Sequence, residues 1–302
     1  MVANRARPEL GDPARPPRTI PQPGHAELAG ALKYGHGNVE LVAERASARE
    51  TALRVAIGAV AKKLLLAVGI EVLGYVVAIG DVAAPELELP FAERVLAADA
   101  SPVRCPDAAA SQAMVARIDA AREAGDTLGG VVEVVAVGAP AGLGSFVQPD
   151  RRLDSRLGAA LLGIPAIKGV EIGPAFANSR LRGTEVHDPI RLEDGRIVRP
   201  RNRAGGIEGG MSNGEPIVLR AAMKPIPTTQ RPQPSVDLAT GREAETVYRR
   251  SDTCAVAAAS VVAAAAVSWT LAEAVLEACG GDRMEQVVAR VAEMRAGMGH
   301  HG

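Results

Sequence analysis

Aromatic residues are scarce in this chain: one Trp, three Tyr and three Phe among 302 residues. So few rings leave no platform on which successive bases stack. An excess of either charge is missing as well. Against 35 Asp and Glu stand 34 Lys and Arg, a formal net charge of -1, so no basic surface argues for nucleic acid as a partner. Cysteine is limited to Cys105, Cys254 and Cys279. That odd number, widely spaced and without C-x-x-C, excludes a disulfide framework and a zinc site and suits a reducing cytoplasm. The N-terminus shows no apolar signal-peptide core. The one long uncharged run, residues 254–271, is mostly alanine and reads as a helix buried in a globular core rather than a membrane span. The two commonest nucleotide fingerprints, G-x-G-x-x-G and G-x-x-x-x-G-K-[ST], are absent.

Glycine, by contrast, is concentrated. Between residues 202 and 228, Gly205, Gly206, Gly209 and Gly210 sit beside an Asn213-Gly214 turn, followed by a strand-like stretch and Lys224-Pro225. Glycines let backbone amides approach a ligand closely, and successive amides in such turns form anion-binding nests. A lysine at the end of the next strand adds a full positive charge, so the run reads as a phosphate or anionic-cofactor site.

Along the chain, residues 1–22 are rich in Pro and Arg, have no apolar period and read as a disordered lead-in. Residues 44–68 are helical, with Leu53, Ile57, Val60 and Leu64 forming the stripe expected to face the core. Residues 71–79 and 131–137 are valine-rich buried strands. Residues 107–124 form a helix capped by Asp107, residues 154–162 a helix, and residues 166–172 a strand. A hairpin is expected over residues 190–198, turning at Glu193-Asp194-Gly195. Residues 252–278 form the alanine-rich helix, closed by Gly280-Gly281. Asp282, with Glu285 three residues on, reads as the cap of a last helix whose apolar face is Met284, Val287, Val288 and Val291. One domain over residues 23–296 and a tail from 297 to 302 complete the organisation. Strands and helices mix without βαβ alternation, so the fold class is α+β.

Several segments in register resemble the chorismate synthase family: Pro23-Gly24-His25-Ala26-Glu27, Lys33-Tyr34-Gly35-His36, Glu44-Arg45-Ala46-Ser47-Ala48-Arg49-Glu50-Thr51, Asp126-Thr127-Leu128-Gly129-Gly130, residues 167–173, the glycine-rich run, and Arg250-Ser251-Asp252. The resemblance implies an α+β sandwich of helices and sheets and a homotetramer. It also implies a lyase that eliminates phosphate from 5-enolpyruvylshikimate 3-phosphate to give chorismate. Reduced FMN is required although no net redox change occurs. Family members either reduce the flavin themselves with NADPH or rely on an outside supply. His25 corresponds to one of two family histidines that handle protons, and Asp252 to a carboxylate close to the flavin. Arg45, Ala46, Ser47, Gly209, Lys224, Pro225, Ile226, Pro227, Thr228 and Arg250 correspond to flavin-binding positions. Taken without the resemblance, His25 reads first as a histidine that caps or packs locally. Arg45 and Ser47 read equally as a solvated helix start, and Arg250 with Asp252 as a helix-start ion pair. His36 and His187 read as structural residues, and His300 and His301 as tail residues with no metal role.

Departures from the family pattern are also visible. The T-A-G-E-S-H-G segment that supplies the other catalytic histidine has no counterpart in residues 1–22, which leads to the expectation of an N-terminally truncated chain. The alternative reading that follows is a non-catalytic homologue that keeps the scaffold and acts through oligomers. Gln22 stands for Arg, Glu27 for Asp, Glu40 for Arg and Pro165 for Gln or Asn. Pro227 stands for Ser or Ala, and Pro174-Ala175 for Asp-Gly. Glu40 is expected to repel phosphate, and Pro165 removes a donor at a flavin contact.

Overall fold

The structure is a computed structural model that describes residues 16–87 and 89–297. In chain order, the first half forms α1 (Glu27–Tyr34), α2 (Val39–Arg45), α3 (Thr51–Ala67), β1 (Glu71–Ile79), β2 (Val82–Ala83), α4 (Phe91–Ala100), α5 (Ala108–Glu123) and β3 (Gly130–Val137). The second half forms α6 (Leu153–Leu162), β4 (Ile167–Ile172), α7 (Ala175–Asn178), α8 (Gly183–Val186), β5 (Arg191–Glu193), β6 (Arg196–Val198), β7 (Ile207–Glu208), β8 (Met211–Ser212), β9 (Ile217–Met223), β10 (Pro234–Asp237), β11 (Arg242–Glu245), α9 (Val256–Cys279) and α10 (Met284–Gly297).

The valine-rich runs pair into one antiparallel sheet of order β2-β1-β3-β9-β4. Strand alternation divides its residues between two faces. Val72, Val76, Val132, Val134, Ala136, Ile217, Leu219 and Ala221 enter the main core with α3, α6, α9 and α10. On the other face Leu73, Tyr75 and Val135 meet α4 through Phe91, Val95 and Ala98. There the Tyr75 hydroxyl donates to the buried Glu133 carboxylate, which also accepts from Arg220 Nε at 2.6 Å. Burial beside that carboxylate pushes the Tyr75 phenol well above its ordinary range.

α9 is long and apolar enough to cross a membrane, yet most of its apolar window lies inside the fold, as expected of a core helix. Two glycines permit its close seating. A Cβ on Gly74 would lie 2.1 Å from the Ser260 carbonyl oxygen, and one on Gly58 would lie 2.4 Å from Ala265 Cβ.

Several expectations need correcting. α3 turns Gly58, Ala61 and Leu65 to the core, while Leu53, Ile57 and Val60 face outward and Leu64 is only partly buried. Both stripes are apolar, and the small one wins because it lets α9 approach. Val60→Lys, at a side chain 70% exposed, should change stability by no more than about 0.5 kcal/mol. Leu65→Ala should lower it by about 2–5 kcal/mol; urea unfolding of the two variants checks the contrast.

α9 starts at Val256 rather than residue 252, and its N-cap is Ala255. α10 starts at Met284, and it is the Gln286 side chain, rather than Glu285, that reaches back, accepting from Asp282 N and Arg283 N. Of its expected face, Val287 and Val291 are buried, whereas Met284 and Val288 are exposed. The lead-in does not extend to residue 22. Arg18 N donates to Asn38 Oδ1 (3.2 Å), Thr19 O accepts from Leu238 N (3.0 Å), and Pro21 O accepts from Ser235 Oγ (2.7 Å). Residues 1–15 and 298–302, including His300 and His301, lie outside the described residues. The strands β1 and β3, the Asp107 cap and the β5–β6 hairpin stand as read, with Asp194 and Gly195 both at positive φ.

Candidate functional site

The site is built where β9 ends and β3 begins. Pro23 and Gly24 turn the chain into α1, Gly24 with φ +75°, and His25 N closes the turn by donating to Gln22 O at 3.2 Å. Lys224, just past β9, donates its amine to the Gly24 carbonyl. The Lys224 backbone N–H donates to Ala166 O at 3.0 Å, tying in the segment that carries Pro165. Ile226 O accepts from Thr127 Oγ1 at 2.7 Å, and Thr228 O accepts from Ser251 Oγ at 2.9 Å. Leu128 N donates to Thr253 O at 2.9 Å. Gly129 has no room for a side chain, since its Cβ would lie 2.3 Å from Met223 O. His25, Lys224, Pro225, Ile226, Pro227, Thr228, Arg250 and Asp252 are thereby brought to one end of the sheet.

Arg45 ends α2, with Ala46 and Ser47 just beyond it, and α2 packs on α1 so closely that a Cβ on Gly30 would lie 2.3 Å from Val42 Cγ1. Among the described residues, no hydrogen bond runs from this tripeptide to the His25 group; Ser47 Oγ accepts from Arg49 N instead. Gly209 is not brought in. It forms the β7–β8 turn, and Gly205 and Gly206 of the same run dock against residues 216–218 at the start of β9. At a strand rise of about 3.3 Å per residue, seven-residue β9 holds the glycine run roughly 20 Å from Lys224. The expected pairing of the glycine nest with that lysine therefore does not occur within one chain. His187 lines a cleft at the glycine end with Asp188, Arg203 and Glu208, and His36 closes α1 by donating its backbone N–H to Ala31 O.

Arg250 and Asp252 are both exposed, and they form no ion pair with each other. Asp252 stands four residues ahead of α9, so the helix-cap and ion-pair reading does not hold. Arg45 is exposed too. Among the described residues, neither Arg45 nor Arg250 has an ion-pair partner. Glu40 lies 3.7 Å from Arg18 Nε, which offsets the repulsion expected of it. Burial raises the pKa of all three cysteine thiols and disfavours the thiolate.

Two residues at the site escaped the sequence reading. Glu27 is 1% exposed and accepts from Gln22 N at 2.6 Å, with Arg249 Nη1 at 3.2 Å and His25 Nδ1 at 3.5 Å from its other oxygen. The available signal was a carboxylate two residues after a histidine at a helix start; nothing local marks Arg249. Burial raises the Glu27 pKa, but His25, the Gln22 N–H and the Arg249 charge outweigh it and hold the carboxyl below its ordinary 4.5. A depressed carboxylate stabilises the fold above its unfolded pKa, and that contribution is lost as pH falls through the folded value. Glu27→Gln should therefore cost about 1–3 kcal/mol at neutral pH and flatten the loss of melting temperature below about pH 4.5, measured by thermal melts from pH 3 to 8.

Known proteins resemble this chain over most of its length. The model of the chorismate synthase family matches residues 11–276. A chorismate synthase from Beutenbergia cavernae is 56% identical over 273 residues, covering 89% of this chain and 69% of that protein. One from Arthrobacter sp. (strain FB24) is 53% identical over 295 residues, covering 96% and 74%. One from Mycobacterium avium (strain 104) is 55% identical over 280 residues, covering 92% and 70%. A crystal structure of a chorismate synthase superposes with a TM-score of 0.78 at 40% identity, over 91% of this chain and 77% of that one.

Proposed function

Since the chain belongs to the chorismate synthase family, we propose that the cluster around His25 and Lys224 binds reduced FMN and 5-enolpyruvylshikimate 3-phosphate and eliminates phosphate to give chorismate. The reading rests on one observation above all: four sequence-remote family segments meet at a single end of the sheet, tied by Lys224 to Gly24, Thr127 to Ile226 and Ser251 to Thr228. The scaffold-only alternative has no observation in its favour.

The residues present fit two anionic ligands. Arg45 and Arg250 offer exposed guanidinium forks suited to phosphate or carboxylate, and Lys224 adds a third cation. These groups, with Ala46 and Ser47, would hold the flavin; Pro165 offers it no donor. Bound reduced FMN supplies the electron-rich ring that the elimination requires, with no net redox change. His25 presents an imidazole at the Gly24 turn, a group suited to handing a proton to or from a bound ligand. Asp252 places a carboxylate at the same end of the sheet. The three cations neutralise the leaving phosphate and the substrate carboxylates. We place the protein in the cytoplasm as a homotetramer with no nucleic-acid or membrane partner.

The test is anaerobic incubation of the purified chain with chemically reduced FMN and 5-enolpyruvylshikimate 3-phosphate. Chorismate and phosphate released in equal amounts support the reading; substrate recovered unchanged from a folded, flavin-loaded protein contradicts it.

A further inference from the structure

We infer that Glu27, anchored by Gln22 N and paired with Arg249, is a positioning residue that holds the His25 ring in one tautomer, with Nδ1 protonated and Nε2 turned to the reaction. This rests on the reading of His25 as the proton-handling group. Glu27 is almost fully buried, and a buried carboxylate is unfavourable unless its oxygens find partners. Oε2 takes the Gln22 backbone N–H at 2.6 Å, which fixes the plane of the group. Oε1 is left facing Arg249 Nη1 at 3.2 Å and His25 Nδ1 at 3.5 Å.

Among the described residues, His25 Nδ1 is itself a buried atom with no hydrogen-bond partner. A lone pair on that nitrogen would oppose the carboxylate oxygen, whereas an N–H there is attracted to it. The remaining gap is closed by a small ring rotation, and hydrogen bonds of this kind commonly tighten only when ligands bind. Which ring nitrogen exchanges protons is set by the partner of the other one. Glu27 joins both halves of the site: it binds the His25 turn on one side and, through Arg249, the segment carrying Arg250 and Asp252 on the other.

Glutamine at this position gives a sharp prediction. The Gln22 N–H makes the shortest contact, at 2.6 Å, so the amide oxygen of the new side chain takes the Oε2 place and its NH2 the other, from which the Arg249 guanidinium must turn away. That NH2 donates to His25 Nδ1 and forces the proton onto Nε2. The experiment uses the full chain labelled with 15N-histidine, with the His25 ring signals assigned by their loss in His25→Asn, alongside steady-state kinetics. Above pH 8 the wild-type ring is expected to be protonated at Nδ1 and the Glu27→Gln ring at Nε2. The kcat of Glu27→Gln should fall by roughly 10²-fold or more with KM within about threefold, and Glu27→Asp, which keeps the acceptor, should stay within about tenfold of wild type. A wild-type ring protonated at Nε2, or Glu27→Gln with wild-type kcat, overturns the proposal. If Glu27→Gln fails to fold, the wild-type spectrum decides by the same criterion. A wild-type chain that shows the expected tautomer but forms no chorismate refutes the functional reading and leaves the geometry of the pair standing.

Discussion

His25→Ala is expected to lower kcat for chorismate formation by roughly 10²–10⁴-fold, the range ascribed to a positioned acid or base. The ring leaves the Gly24 turn intact, because that turn is held by backbone groups: His25 N to Gln22 O and the Gly24 carbonyl to the Lys224 amine. Among the described residues, His25 Nδ1 has no hydrogen-bond partner. Removal of the ring should therefore leave the melting temperature within a few degrees of wild type, and flavin binding, followed by fluorescence quenching, little changed. Loss of turnover with retained fold and retained flavin identifies a proton-handling role. Loss of all three together would mean the residue is structural, and full turnover would place the chemistry elsewhere.

Gly74→Val should be strongly disruptive to the fold. Residue 74 faces α9, where even a Cβ would meet a helix carbonyl at 2.1 Å and the Ala264 methyl at 3.0 Å. Backbone cannot yield as a flexible side chain does, so α9 must lift from β1. The lift also pulls on Arg104, whose guanidinium donates to Gly74 O at 3.1 Å and to Ser260 Oγ at 3.2 Å. Arg104 itself holds φ +58°, a conformation rarely adopted by a non-glycine residue. Overpacking a core typically costs about 1–3 kcal/mol, and this site, with no rotamer to relieve it, lies at or beyond the upper end. Gly74→Ala should show the same effect at smaller size. Melts of both variants, with sedimentation to detect released apolar surface, check the expectation; a valine variant melting like wild type would mean that α9 is not rigidly seated.

Features that depend on a few neighbouring residues were legible in the sequence. β1 and β3 declare themselves by valine density, the α5 cap by Asp107, and the β5–β6 turn by Asp194-Gly195. The orientation of α3 was not legible. Its outer stripe of Leu53, Ile57 and Val60 is more hydrophobic than the inner one of Gly58, Ala61 and Leu65, and periodicity reveals a stripe without saying which stripe has a partner. Asp252 has the chemistry of a cap, but the Leu128 pairing with residues 253 and 254 keeps the chain extended until Val256. For the proposed site, the family segments pointed to His25, Lys224 and Arg250, and the fold brings the segments that carry them to one end of the sheet. Gly209 and Lys224 are close in sequence and far apart in space because an extended strand lies between them, whereas Gly24 and Lys224 are 200 residues apart and in contact.

That separation has a consequence for how the protein is made. The Lys224 contact spans 200 residues and the Arg249–Glu27 pair spans 222. A chain emerging from the ribosome can zip β1 to β3 while the His25 turn still waits for both of its cationic partners. Loop closure of that length adds only slowly to the equilibrium penalty, but it delays the contacts in time. The buried Glu27 carboxylate is thus without its guanidinium throughout most of synthesis, and this end of the sheet is a late product of translation, its Arg249 pair formed only after residue 249 has emerged.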